Sequence, residues 1–372
     1  MEKLTQDLIC LLSCAANGTT PDPERISGID MEQMYKLCRS QSIRATVYPV
    51  LERAGAGSND FAQAYHKSVR KNILLDIERK AITDQFEEQG IWYLEMKGSL
   101  MKELYPAPGM REMSDNDILI DSSCREKANK IMTERGYTAK RFMSSHCDEY
   151  TKPPVMNFEL HSYLFEERLY PQLQQHYRDM SALMIKNSDD SFGYHLSDEE
   201  AYIYMTAHEY KHFIKSGTGI RGLVDCYIFL KEKGEALDWD RISSAAKEMG
   251  MDQFEKKRRE LAFKLLSDDK LPELTDEEES FMMEYLKYGI YGLTSKRAEN
   301  DLKRFQQESG KSGAGFVLSR LFPSPAYIKK WYPFAQKNPL LLPAAYVLRW
   351  YKALTTSKDK TKSEIRALRN KK

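Results

Sequence analysis

The chain has 372 residues, of which 41% are hydrophobic and 30% charged, and its 56 Lys and Arg against 55 Asp and Glu give a net charge of +1. This balance excludes a disordered or fibrous chain, allows two or three domains, and lacks the global basicity that would signal nucleic-acid binding. The near-neutral sum is uneven: residues 311–372 hold 14 Lys and Arg and two acids, a charge of +12, which leaves −11 on residues 1–310 and marks the C-terminal segment as an interaction tail.

The opening residues Met1-Glu2-Lys3-Leu4-Thr5-Gln6-Asp7 lack the basic start and cleavage site of a secretory signal. No run reaches the ~18–20 uninterrupted apolar residues of a membrane-spanning helix, so a cytoplasmic protein is expected. The cysteines (Cys10, Cys14, Cys38, Cys124, Cys147 and Cys226) contain no C-x-x-C pair. Cys10 and Cys14 share a helix face, but no second pair completes a zinc site, and buried thiols are expected.

Residues 1–85 read as a helical segment. Leu8, Leu11 and Leu12, then Met31, Met34, Tyr35 and Leu37, recur at helical spacing, separated by the breaker-rich loop from Asn17 to Pro23. A third helix is predicted from about Phe61 to Gln89, ending at Gly90. Residues 86–195 change texture to an α/β core. Strands are predicted at Ile91-Trp92-Tyr93-Leu94, at Asp115 to Asp121, from Gly136-Tyr137, and at Phe158-Glu159-Leu160-His161. Short helices are expected from Leu100 to Tyr105 and over 123–135. Residues 196–310 return to helices, at Ser197 to Phe213, Arg221 to Lys233, Trp239 to Met249, Asp252 to Leu266 and after the capping run Thr275-Asp276-Glu277-Glu278. A flexible break at Lys311 to Gly315 leads into a basic, aromatic tail, 311–372. The expected class is α+β, a small mixed sheet with helices embedded in a mostly helical chain.

Asp115 and Asp117 stand two apart in a predicted strand, so their carboxylates share one face. Paired like charges are unfavourable in a sheet unless a cation offsets them, and hard oxygen donors select Mg²⁺. Glu159, between two apolar residues of a later strand, supplies a third acid. Three carboxylates holding Mg²⁺ (or Mn²⁺) suit in-line displacement at phosphorus. Upstream, Gly98 and Ser99 close a strand and open a helix, a turn suited to phosphates, and Lys97 and Arg111 add positive charge on either side.

The ordered set Met96-Lys97-Gly98-Ser99, Asp115-Asn116-Asp117 and Phe158-Glu159-Leu160 resembles the polymerase-beta-like nucleotidyltransferase superfamily. More narrowly, Tyr105-Pro106, Arg111 to Ile120, Glu159-Leu160-His161, Arg221 to Asp225, Leu237-Asp238-Trp239 and the Tyr332 to Pro343 region resemble a largely uncharacterised bacterial nucleotidyltransferase family, whose genes are often met near those for capsule and exopolysaccharide. The resemblance implies Asp115, Asp117 and Glu159 as metal ligands, with Glu159 aiding deprotonation of the acceptor. Gly98 and Ser99 would hold the phosphates of a nucleoside triphosphate. The implied reaction moves a nucleotidyl group to a hydroxyl of a sugar, small molecule or protein. Asn116 departs from the family's usual apolar residue but points to the opposite strand face. A catalytically idle nucleotide binder is the alternative.

A competing motif is His208-Glu209-Tyr210-Lys211-His212, the H-E-x-x-H of zinc proteases. The longer extension fails, with Lys215 and Thr218 where Gly and His are needed, although Glu232 is spaced to be a third ligand. The other readings are a polar helix lining the nucleotide cleft and plain structural histidines. Arg221 and Asp225, four apart, fit an intrahelical ion pair or a substrate contact. His161 shares the Glu159 face and either orients that carboxylate or sits satisfied in the core. The tail aromatics Tyr327, Trp331, Tyr332, Phe334, Tyr346, Trp350 and Tyr351, interleaved with Lys329, Lys330, Lys337, Arg349 and Lys352, either pack on the helices or contact an anionic membrane peripherally. The run Lys358 to Lys372 reads as solvated.

Overall fold

A computed structural model describes residues 1–268, 270–289, 302, 306 and 313–355. The chain divides into two compact units, Met1–Lys211 with Gly219–Ile290, and His212–Thr218 with Tyr291–Lys372.

In the first unit, helices α1 (Lys3–Asn17), α2 (Pro23–Ser27), α3 (Met31–Gln41), α4 (Arg44–Arg53) and α5 (Asn59–Glu88) precede the sheet. Then follow β1 (Tyr93–Glu95), α6 (Lys97–Met101), β2 (Asn116–Ile120), α7 (Arg125–Glu134), β3 (Thr138–Arg141), β4 (Cys147–Lys152), β5 (Met156–His161), α8 (Pro171–His176), β6 (Met184–Lys186) and β7 (Gly193–Leu196). Helices α9 (Asp198–Lys215), α10 (Arg221–Lys233), α11 (Trp239–Glu248), α12 (Asp252–Leu266) and α13 (Asp276–Tyr288) complete the order. Among the described residues, seven strands form one mixed sheet, ordered β3-β4-β5-β2-β1-β7-β6. β2 runs parallel to β5 and antiparallel to β1.

Alternation along the central strands sorts their side chains. Ile118 and Ile120 of β2 and Phe158 and Leu160 of β5 are fully buried with Leu75, Ile82 and Phe86 of α5 and Ile131 and Met132 of α7. That face is the core of the sheet, and the residues between them, Asp117, Glu159 and His161, occupy the other face. Asn116 points to the core side as expected, where its amide donates to the Leu75 carbonyl at 2.9 Å. The predicted strands at 91–94, 115–121 and 158–161 appear with shifted ends, but β4, β6 and β7 are additional. β4 (Cys-Asp-Glu-Tyr-Thr-Lys) is too polar to be read as a strand, and β6 and β7 are three and four residues long. The expected helix at Leu100 begins earlier, at Lys97.

Helices from both ends of this unit meet. Ser13 Oγ and Asn17 Nδ2 of α1 donate to the Leu266 carbonyl at the end of α12, and Tyr227 of α10 donates to Asn17 Oδ1. In α9, Glu209 turns inward to accept from Nε of the buried Arg258 at 2.8 Å. Gly222 of α10 makes room for that carboxylate, since a Cβ there would lie 2.3 Å from Glu209 Oε1.

The segment between α6 and β2 is held by its carbonyl groups. Ser68 and Asn72 of α5 donate to Gly109 and Arg111, Thr46 of α4 donates to Met110, and Arg221 of α10 donates to Glu112. The Glu112 carboxylate accepts from Arg44 and from the Ala45 amide. Gly109, at φ +81°, crosses Val69 so closely that a Cβ would lie 2.9 Å from its backbone. The Arg111 guanidinium is buried and forks Asp225 of α10 through Nε and Nη2, each at 2.9 Å, while Tyr105 donates to the same carboxylate at 2.7 Å. Arg221 and Asp225, four apart, thus make their hydrogen bonds to longer-range partners while still acting on each other electrostatically.

In the second unit, helices span Gly313–Leu321, Pro325–Trp331, Pro333–Lys337 and Leu342–Thr355. Gly313 to Gly315 open a helix there and are not the break expected. Ile328, Ala335 and Ala345 are buried together with Tyr332, Phe334 and Tyr346 packed on them, so these aromatics serve packing. The Trp350 indole donates to the Leu321 carbonyl at 2.9 Å, whereas Tyr351 is 65% exposed. The basic run Lys358 to Lys372, with Lys311 and Ser312, lies outside the described residues. Among the described residues, no helix is long and apolar enough to cross a membrane.

Gly222→Ala should destabilise the fold by about 1–3 kcal/mol, the usual range for overpacking, measured by urea unfolding. Full stability in that variant would contradict the packing of Glu209. Asp225→Ala leaves Arg111 buried without its counter-charge and should lose about 3–5 kcal/mol. Burial works to raise the Asp225 carboxyl, but Arg111 and Arg221 together with the Tyr105 hydroxyl hold it below its ordinary value. A depressed folded-state value stabilises above the ordinary Asp range and the effect fades as pH falls below about 4. The margin of wild type over Asp225→Ala should therefore be full at neutral pH and narrow on acidification, as urea titrations at pH 7 and pH 3 would read.

Candidate active site

Asp117 and Glu159 are register partners in the parallel pair β2–β5, so both carboxylates rise from the same face of adjacent strands. Asp115 precedes β2 by one residue and feels the charge of Asp117. His161 joins them: its Nε2 lies 3.2 Å from Asp117 Oδ1 and 3.6 Å from Glu159 Oε2. The histidine is thus hydrogen-bonded to Asp117 and adjacent to Glu159.

Electrostatics follow from crowding. Burial, then the charge of Asp117, pushes the Asp115 carboxyl above its ordinary value, and burial with Asp117 and Asp115 does the same to Glu159. Asp117 goes the other way. Burial opposes its charge, but Lys97, the His161 bond and Lys211 hold it below the usual carboxylate range. Neighbouring acids repel unless positive charge is placed among them. This donor set, all hard oxygen and mutually repelling, fits a divalent cation of the Mg²⁺ type.

Lys97, at the first position of α6, reaches into the cluster. Its Nζ is 3.7 Å from Asp117 Oδ2 and 2.7 and 2.9 Å from the two ring nitrogens of His208. Lys71 of α5 donates to the Ser114 carbonyl at 2.8 Å and acts electrostatically on Asp115. Lys211 acts on Asp117 and stands 5.4 Å over the Phe165 ring. Tyr204 is buried, and its hydroxyl is raised far above its ordinary value by burial and by Asp117, Glu159 and Cys147. Tyr204, His208 and Lys211 are spaced four and three apart, which makes them one face of α9. Lys71, Tyr204 and Lys211 were not among the expected site residues. Only their helical spacing was visible, and it does not say which face meets the acids.

The remaining expected residues are placed differently. Gly98 is packed under the clamped segment: a Cβ there would lie 2.7 Å from Met113 Cε and 3.7 Å from an Arg111 nitrogen. Ser99 is buried, its hydroxyl donating to the Met96 carbonyl at 3.0 Å. Arg111, expected beside the phosphates, is instead 5% exposed and committed to Asp225. It positions the segment leading to Asp115, because its charge is better satisfied by a buried carboxylate than by solvent at the cleft. The zinc-protease reading fails on Glu209: the residue that would activate a zinc-bound water is ion-paired to Arg258 inside the helical layer. His208 and Glu209 are neighbours in sequence and point to different surroundings, the first to Lys97 and the second to the core.

Among solved structures, an antigenic nucleotidyltransferase-like protein from Paracoccidioides brasiliensis is similar, at 13% identity over 59% of this chain and 93% of that one, with a TM-score of 0.34. No curated protein matches the chain. The sequence does match the family described as uncharacterised nucleotidyltransferase over residues 27–267, a span that contains β1, β2, β5 and α9 with every acid and cation named above. The chain belongs to that nucleotidyltransferase family.

Proposed function

We propose that this protein uses Mg²⁺ (or Mn²⁺) to transfer a nucleotidyl group from a nucleoside triphosphate to a hydroxyl acceptor, on a polymerase-beta-like core. The observation that carries the reading is the register of Asp117 with Glu159, with Asp115 feeling the charge of Asp117 and His161 beside both strands' acids. Asp115, Asp117 and Glu159 would hold the metal, which when bound activates the acceptor oxygen and offsets charge on the leaving pyrophosphate.

The chain's own groups divide the work. Lys97, Lys71 and Lys211 supply positive charge around the acids, suited to a triphosphate. By the family resemblance Glu159 is the carboxylate that takes the acceptor's proton. His161 keeps the two carboxylates in place while that proton moves. The first acceptor class to test is a polysaccharide-building sugar, followed by small hydroxyl compounds and protein side chains.

The full chain should be incubated with α-labelled nucleoside triphosphates, Mg²⁺ and acceptors of these classes. Label is expected in the acceptor with release of pyrophosphate, falling at least about a hundredfold in Asp117→Asn and Glu159→Gln, the scale for removing a charge-stabilising group. Mg²⁺ should raise the melting temperature of wild type more than that of Asp115→Asn, because binding to the native state alone stabilises it. Tight nucleotide binding with no pyrophosphate from any triphosphate would instead identify an idle binder. Transfer of γ-label in place of α-label would overturn the reading.

A further inference from the structure

Cys147 shares this sheet face with the acids, and magnesium chemistry does not use its sulfur. It is 3% exposed, begins β4, and pairs across the ladder with His161. Directly opposed residues of an antiparallel pair share a face, so Cys147 and His161 stand with Glu159. The thiol donates to Glu159 Oε2 at 3.5 Å. One ligand atom from each of Cys147, Glu159 and His161 lies within 4.8 Å of the other two. His161 is 6% exposed, and its Nδ1 is buried without a hydrogen-bond partner.

We propose that Cys147, Glu159 and His161 form a second metal site, for a zinc-type divalent cation, which withdraws Glu159 from magnesium and so inhibits the enzyme. The proposal rests on the magnesium reading for its regulatory effect but not for the site itself. A buried cysteine by itself packs as a small hydrophobe. Here its sulfur is joined by an imidazole and a carboxylate, one each of the three ligand types zinc takes. In a tetrahedral zinc site, bonds of about 2.0–2.3 Å separate ligand atoms by roughly 3.3–3.8 Å, so the three groups need close by about 1 Å. Thiolate favours zinc over magnesium, whereas the all-oxygen set of Asp115, Asp117 and Glu159 does the reverse. Glu159 belongs to both sets, which makes them compete. On binding, the Cys147 thiol releases its proton to solvent as the metal–sulfur bond forms.

Cobalt(II) tests the site without reference to catalysis. Metal-stripped full-length chain, with reductant present, should show a near-ultraviolet thiolate-to-cobalt charge-transfer absorption that saturates at one equivalent and is bleached by Zn²⁺. The absorption should vanish in Cys147→Ser and Cys147→Ala and persist in Asp115→Asn, which leaves this ligand set whole. In the pyrophosphate assay, the zinc concentration for half inhibition should rise at least about tenfold in Cys147→Ser, the lower end of what disturbing even an indirect metal partner costs. No charge-transfer absorption in wild type, or the same absorption in both Cys147 variants, would overturn the proposal whatever the outcome for nucleotidyl transfer. An enzyme that transfers nothing would leave the absorption as the measure of the site.

Discussion

Carboxylates held side by side on adjacent strands repel one another, and lysines from three helices act against that repulsion. Asp117 and Glu159 are fixed side by side by the β2–β5 register, and Asp115 precedes β2 by one residue. Burial sharpens the problem because low dielectric strengthens repulsion and disfavours charge. The surrounding structure supplies Lys97 from the turn after β1, Lys71 from α5, Lys211 from α9 and His161 from within the sheet itself. An arrangement that gathers both signs of charge at one buried place is poor evidence of stability alone.

Holding this cluster in place requires rigidity elsewhere. The segment from Gly109 to Ser114 has no regular structure, yet donors from α4, α5 and α10 take up its carbonyls. The buried pair of Arg111 with Asp225 ties it to α10. An irregular segment normally lies at the surface with its polar backbone in water. Here side chains replace water, so Asp115 enters β2 at a defined place. The helices therefore do more than cover the sheet: α5 packs the core face of β2 and positions the segment ahead of it, while α9 faces the acids on one side and the helical core on the other.

α9 shows how a sequence motif can be genuine and its familiar meaning wrong. His208 and Glu209 read as the first two letters of a zinc-protease signature. Consecutive helical residues lie about 100° apart, so the two side chains enter different environments. Arg258, far along the chain, claims Glu209, and Lys97 meets His208. What the motif marked was a polar helix placed against the acids.

Local chemistry carried much of this architecture. Acids two apart at Asp115 and Asp117 marked one strand, the apolar neighbours of Glu159 announced a buried strand bearing one acid, and Asn116 had to face the core. Helix stripes gave α5, α9, α10, α11 and α12 to within a few residues. Polar β4 and the very short β6 and β7 escaped, since their few side chains show no alternation strong enough to read. The assignments of Arg111, Glu209 and Cys147 also depended on folding. Each is decided by a partner distant in sequence: Asp225, Arg258, and the β5 face carrying Glu159 and His161. Periodicity states which residues share a face because it is a property of neighbouring dihedral angles. What that face meets is set by strand register and helix packing, and those are properties of the whole chain.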